Sequence, residues 1–493
     1  MKINNFSKII SVLLVSVLFL SSCGKLADNV TVKWPEGIYL EGAAKDDEAQ
    51  SSQETTPSDE TLTTSTPLDS SDNQQLNSDI ESSLPEDNNI SSNESSSSEN
   101  TSSEDKKPSD IKVTNVPNVI REEATNLRLT EEVLNRSIVD SGNMSRLANV
   151  IRKAVRGENV TIGVIGGSIT DGTGASPASN KYAEKFRSWW QSTFKDSKLT
   201  FINAGIGATD SIVGVHRADA DLLDKNPDLV IIEFSVNDIG IDSELVKRSY
   251  ESLVRKTLKK NNNPAVICVF TFNQNNQNMQ AEHSLIAEHY DVPAISYRDA
   301  LWPTGGQKVY NWSEIAGDNV HPNNTGHAII SELLIYYVNT VRAQIESIPE
   351  TVPAIPTSLT DAPFENGVLL TSKTITADSL GSFVVSNNAF WQFKEGWTVS
   401  GGTEPIKFKG EAKSIYILFK KDKNSGKGGK VEVKLDGNVI GTIDSDYSTG
   451  WGDYATFYKV LDTDISGEHE LEIKLTSTGN KTEFAILGLM VSQ

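Results

Sequence analysis

Only two cysteines stand in 493 residues, which excludes a disulfide-stapled scaffold and a cysteine-rich zinc domain. Basic residues are also short: 45 Lys and Arg face 66 Asp and Glu, a formal net charge of −21. Phosphate binding needs a Lys/Arg-rich face, so no nucleic-acid partner is expected. The acidic surplus is concentrated in residues 41–110, which hold 18 acidic side chains and 3 lysines. Aromatic residues are missing altogether from 41–180. The acidic stretch, rich in Ser, Thr and Asn, cannot bury enough apolar area to offset its ordering entropy. It reads as a disordered, self-repelling spacer. No apolar run after residue 23 reaches the roughly 20 residues that cross a bilayer.

What is present begins at the N-terminus. Lys2 and Lys8 precede an apolar run over 9–20, which has the length of an export signal and is too short to span a membrane. The run ends in Leu20-Ser21-Ser22-Cys23, which resembles a bacterial lipoprotein box. That resemblance implies acylation of Cys23 and anchoring on the outer face of a bacterial membrane through the N-terminal lipid. Cys268 is then the one remaining thiol, in an apolar stretch where a small buried hydrophobe is expected.

The composition divides the chain into a signal and lipobox (1–23), a spacer (24–110), an α/β domain (111–347), a Pro-marked linker (348–359) and a β-rich tail (360–493). In the α/β stretch, near-continuous apolar runs at 160–165, 199–203, 229–234, 265–271 and 292–296 read as strands buried on both faces. Helical patterns at 182–194, 243–258, 279–290 and 326–342 alternate with them. The alternation predicts a flavodoxin-like parallel sheet between helices, with ligands at the carboxyl ends of the strands. The tail offers short strands at 414–419, 431–435 and 469–475, and Asp436-Gly437 as a hairpin turn. It reads as an all-β sandwich of jelly-roll type.

Four segments carry chemistry. The first strand runs into Gly166-Gly167-Ser168, presenting a hydroxyl between small neighbours. The second leads to Asn203-Ala204-Gly205-Ile206-Gly207-Ala208, the third to Ser235-Val236-Asn237-Asp238, and near the end of the domain stands Asp318-Asn319-Val320-His321. Their order and spacing resemble the SGNH hydrolase family, also called GDSL esterases, over roughly residues 140–345. The resemblance implies Ser168 as nucleophile, His321 as general base and Asp318 as the group that orients the imidazole. It further implies an oxyanion hole from the Ser168 amide, a backbone amide in the Gly207–Ala208 turn and the Asn237 side chain. The chain departs from the family in three places: Gly167 replaces Asp before the nucleophile, Ser235 replaces Gly, and Ala208 replaces the oxyanion-turn Gly. The Ala208 methyl would narrow the acyl pocket and favour acetyl.

Taken singly, these residues also fit plainer roles. Ser168 suits a turn, Asn237, Asp238 and Asp318 suit caps, and His321 suits a satisfied structural histidine. His321 and His327 are six apart with no intervening zinc-protease pattern, so no metal and no cofactor are expected. The reading is an O-acetyl esterase acting on acetylated polysaccharide. A lysophospholipase or thioesterase for longer acyl chains, and an inactive surface glycan-binding protein, stand as alternatives. In the tail, Trp391, Trp397, Trp451 and Tyr454 suit either core packing or sugar stacking, whereas Trp189 and Trp190 suit packing.

Overall fold

The computed structural model describes residues 119–493. The expected export signal with Cys23, the expected spacer of residues 24–110 and residues 111–118 of the α/β stretch lie outside the described residues.

Six strands form the first sheet: β1 (Ile138–Asp140), β2 (Val160–Gly166), β3 (Leu199–Gly205), β4 (Leu229–Glu233), β5 (Ala265–Phe270) and β6 (Ala294–Ser296). Every residue of β4 and β5 is buried, as expected of strands covered on both faces by helices. The order is β1-β6-β5-β4-β2-β3. Strands β2 to β6 are parallel, and their order reverses between β2 and β4, which opens a crevice at their carboxyl ends. The sheet is mixed rather than wholly parallel, because β1 joins β6 antiparallel at the edge. Three residues ending in Asp140 are too short to show a strand period, so the pattern alone missed it. The helices Ser145–Val155 and Ser211–Asp221 were likewise not anticipated. The second buries His216 and Arg217 along with its apolar residues, which blurs its amphipathic pattern. Its start is fixed by the Asp210 side chain, which accepts from the Val213 amide.

The segment 348–359 lies against the α/β domain: Arg146 donates to Pro353 O, Asn149 to Glu350 O and Arg255 to Pro356 O. Beyond it comes an antiparallel domain of eight strands: β7 (Val368–Leu370), β8 (Val384–Ser386), β9 (Gly396–Ser400), β10 (Ile406–Lys421), β11 (Lys430–Leu435), β12 (Asn438–Asp444), β13 (Tyr454–Leu475) and β14 (Glu483–Ser492). They run β12-β11-β13-β10-β14-β9-β8, with β7 also on β14. Asp436 and Gly437 both take positive φ, the conformation that a tight hairpin turn between β11 and β12 requires.

Alternation along β10 ties the two domains together. Ile415, Ile417 and Phe419 belong to the core inside the β domain with Trp397 and Phe484. Tyr416 and Leu418, on the opposite face, share a second core with Ile212, Val215, Tyr250 and Leu253 of the α/β domain. A fully buried side chain of this size contributes about 1.5–3 kcal/mol, so this contact is a folding core and not a loose hinge. Arg248 reinforces it by pairing with Asp361 at 2.8 Å and with Asp462 at 2.6 Å.

Candidate active site

Strand β2 delivers Ser168 to the crevice as the first residue of the short helix Ser168–Asp171. Gly167 must lack a side chain here, because a Cβ would lie 2.1 Å from Asn237 Oδ1. The Asn237 carboxamide, carried past the end of β4, therefore packs directly behind the serine. On the other side, a Cβ built on Gly207 would stand 3.7 Å from the Ser168 Cβ, so the turn after β3 flanks Ser168. The backbone amide of Ile206 donates to Gly166 O at 3.0 Å and locks this turn to β2. Ala208 takes φ 59°, a left-handed conformation that costs a non-glycine residue about 1–2 kcal/mol. The turn keeps its glycine-like shape despite the substitution.

The loop before the last long helix, Asn324–Ala343, supplies His321. His321 Nε2 lies 2.9 Å from Ser168 Oγ, and His321 Nδ1 lies 2.7 Å from Asp318 Oδ2. A carboxylate only accepts, so Nδ1 carries the proton and Nε2 is left to accept from the serine. Asp318 Oδ1 accepts from the backbone amides of Val320 at 2.8 Å and His321 at 2.7 Å. Partial burial alone would raise the Asp318 carboxyl. The donors from His321 and Val320 outweigh it and hold the carboxyl below its ordinary range. Trp312 Nε1 donates to Asp318 O at 2.6 Å, and Gly174 passes so close beneath that a Cβ would meet Pro322 O at 2.2 Å. The tight backbone packing sets the imidazole facing Ser168.

The structure thus brings Ser168, Asp318, His321, Gly207, Ala208 and Asn237 to one crevice. Asp238, which suited a cap, does serve a helix start: its Oδ1 accepts from Ser211 N at 2.8 Å, while Oδ2 accepts from His283 Nε2 at 2.9 Å. Glu233, buried at the end of β4, accepts from Thr170 at 3.1 Å and Thr271 at 2.7 Å. Burial pushes its carboxyl up to about 7. Cys268 is buried and unpaired, and burial pushes its thiol up to about 12, far from a reactive thiolate. Trp189 and Trp190 are core residues of the α/β domain.

Two contributors were not anticipated. Buried Arg217 donates to Ala204 O at 2.7 Å and Gly166 O at 3.0 Å, pinning the ends of β3 and β2 beside the serine. Its signal was a charged residue close behind the apolar run 212–215. Gln392, from the β domain, donates through Nε2 to Gly207 O at 2.9 Å. Nothing local in the sequence marks that contact.

The GDSL-like lipase/acylhydrolase family model matches residues 164–329. Among solved structures, the chain is similar to a two-domain esterase (CEX) active on acetylated mannans. The identity is 32% and the TM-score 0.68, over 73% of this chain and 98% of that one. A structure of a two-domain esterase of that description co-crystallized with mannopentaose matches with a TM-score of 0.67 at 32% identity, with the same coverage. An acetylxylan esterase from Geobacillus stearothermophilus is similar at 20% identity and a TM-score of 0.32, over 36% of this chain and 94% of that one. No curated protein sequence matches the chain.

Proposed function

Since this chain belongs to the GDSL-like lipase/acylhydrolase family and is a carboxylic ester hydrolase, we propose that it removes O-acetyl groups from an extracellular polysaccharide through an acyl-serine intermediate. The observation that carries the reading is the unbroken hydrogen-bond chain from Ser168 Oγ to His321 at 2.9 Å and on to Asp318 at 2.7 Å. His321 Nε2 takes the serine proton as Oγ attacks the ester carbonyl, and Asp318 stabilises the resulting imidazolium. The Ser168 amide, a backbone amide of the Gly207–Ala208 turn and the Asn237 side chain donate to the oxyanion, each worth about 3 kcal/mol in such sites. The sugar hydroxyl leaves with the proton held by His321. A water then loses its proton to Nε2, attacks the acyl carbon and releases acetate and free Ser168.

Acetyl as the acyl group draws support from the similarity to an esterase active on acetylated mannans and from the extra methyl of Ala208 at the oxyanion turn. Export and lipid attachment at Cys23 rest on the sequence of residues 1–23, and they would put the enzyme where polymers are met. Acetate release from acetylated mannan and acetylated xylan, wild type against Ser168→Ala, tests the proposal. Release should fall at least 10³-fold in the variant, by analogy with roughly 10⁶ in kcat for loss of a catalytic serine elsewhere. Undiminished release removes Ser168 from the mechanism, and a preference for long-chain over acetyl nitrophenyl esters replaces the deacetylase with a lipid-type acylhydrolase. Membrane fractionation of Cys23→Ser tests the anchor: the variant should appear in the soluble fraction.

A further inference from the structure

One face of the β domain is docked on the α/β domain through Tyr416, Leu418 and neighbouring residues. On β9, β14 and the end of β10, Trp397, Val399, Phe484 and Phe419 point into the domain's own core. On the opposite face, Tyr416, Leu418, Ala485 and Leu487 enter the core shared with the α/β domain. Next to them, Val384, Thr398, Ser400, Lys420, Asp422 and Glu483 line an open cleft of about 410 Å³. Its lining mixes apolar and polar groups, and the polar ones are fixed. Lys420 Nζ sits 2.9 Å from Asp422 and 3.2 Å from Asp453, and Asp422 also accepts from the amide and hydroxyl of Ser425 at 2.9 and 2.8 Å. Donors and acceptors held in this way lose little freedom when a ligand arrives.

The surroundings narrow the ligand class. Trp391 is 67% exposed and Trp451 is 71% exposed, and both belong to loops rooted at the cleft. Ala389, two residues before Trp391, lines it, as does Ser445 at the base of the loop that carries Trp451. The amide of Tyr447 in that loop donates to Asp422 O at 2.9 Å. The Trp451 ring is stacked on Tyr454, with centroids 5.2 Å apart. Flat exposed rings on loops rooted at rigid hydroxyl and charged groups suit a ligand with apolar ring faces and a hydroxylated rim, as a sugar has. A direct path to the chemistry exists too, because Gln392, adjacent to Trp391, bonds Gly207 of the catalytic turn at 2.9 Å.

We propose that this cleft, from which the loops carrying Trp391 and Trp451 spring, is a second subsite, which holds an unacetylated stretch of the same polysaccharide while Ser168 works on an ester farther along the chain. The subsite rests on the polysaccharide reading above and adds a binding role for the β domain. Thr398→Arg fills the cleft from its lining, Thr398→Ser keeps it open, and Trp451→Ala removes the exposed ring of the neighbouring loop should the first variant fail to fold. For acetylated mannan, Thr398→Arg or Trp451→Ala should raise KM at least fivefold with kcat unchanged, while Thr398→Ser and turnover of nitrophenyl acetate stay at wild-type values. In parallel, calorimetry of acetyl-free manno- and xylo-oligosaccharides with Ser168→Ala reads binding without catalysis, and the added Thr398→Arg or Trp451→Ala should weaken it at least fivefold. Unchanged KM together with unchanged binding, or no binding by Ser168→Ala, overturns the subsite. If wild type releases no acetate from any polysaccharide, the deacetylase reading fails by itself, and the calorimetry alone decides the cleft.

Discussion

Asp318 divides its two oxygens between different tasks. Oδ1 takes the amides of Val320 and His321, and Oδ2 takes the imidazole at 2.7 Å. An amide in its place has one accepting oxygen. The two backbone donors would retain it, turning the NH2 group toward Nδ1 and driving the ring proton to Nε2, where it blocks proton transfer from Ser168. Asp318→Asn should therefore lower kcat on a short-chain nitrophenyl ester by about 10²–10⁴ and leave KM nearly unchanged, as steady-state kinetics would read. The Asp-x-x-His spacing made this pair legible because both groups sit in one turn. Gly167 was legible only as a departure from the family pattern. Its reason, the Asn237 carboxamide 2.1 Å from where a Cβ would go, needs two strands side by side.

Among the elements, the strand ends and the turn after β3 decide the geometry of the crevice. The chain-order reversal between β2 and β4 sets Ser168 and Asn237 next to each other. The loop of residues 387–395 then braces the turn from the β domain through Gln392. Gln392→Ala leaves the Gly207 carbonyl without this donor. A hydrogen bond of about 1 kcal/mol corresponds to a roughly fivefold loss, so kcat/KM on nitrophenyl acetate should fall about fivefold while the melting temperature changes little. An unaltered rate would mean that the turn holds its shape unaided. The five parallel strands and four of the helices could be read from periodicity, since long apolar runs and amphipathic stretches are local properties. Strand β1 and the helix Ser211–Asp221 were not, because one is three residues long and the other buries His216 and Arg217.

On the scale of the whole molecule, the shared core predicts cooperativity. Tyr416 and Leu418 pack with Ile212 and Leu253, so neither domain can open without exposing the other's apolar surface. Calorimetry should show one unfolding transition for both domains, and two separated transitions would contradict the shared core. Acidity acts on the same scale. Burial pushes Glu233 and Asp210 up to about 7, the latter helped by Asp238, and burial also raises Glu332 to about 7 against the pull of Arg121. Unfolded carboxyls titrate near about 4, so between about 4 and 7 the native state binds more protons and stability falls as the pH rises. Asp318, Asp219 and Glu365 act oppositely: their carboxyls are held low despite burial, by hydrogen bonds from His321 and by Lys and Arg partners respectively. Their contribution is lost only in stronger acid. The melting temperature should therefore be higher at pH 5 than at pH 7.5, and Glu233→Gln should flatten that slope.

By itself, the sequence determined the chemical inventory and its order: a hydroxyl after the first parallel strand, a carboxamide after the third and an imidazole paired with its carboxylate. These signals survive in one dimension because each depends on residues within a turn or a helical period of one another. The tertiary structure alone decided that the β domain shares a core with the catalytic domain, that Arg217 pins two strand ends, and that Gln392 reaches a turn 185 residues away. The spatial partners in such contacts share no local periodicity, and their meeting depends on how twisted sheets and helices pack, which no short stretch of sequence encodes.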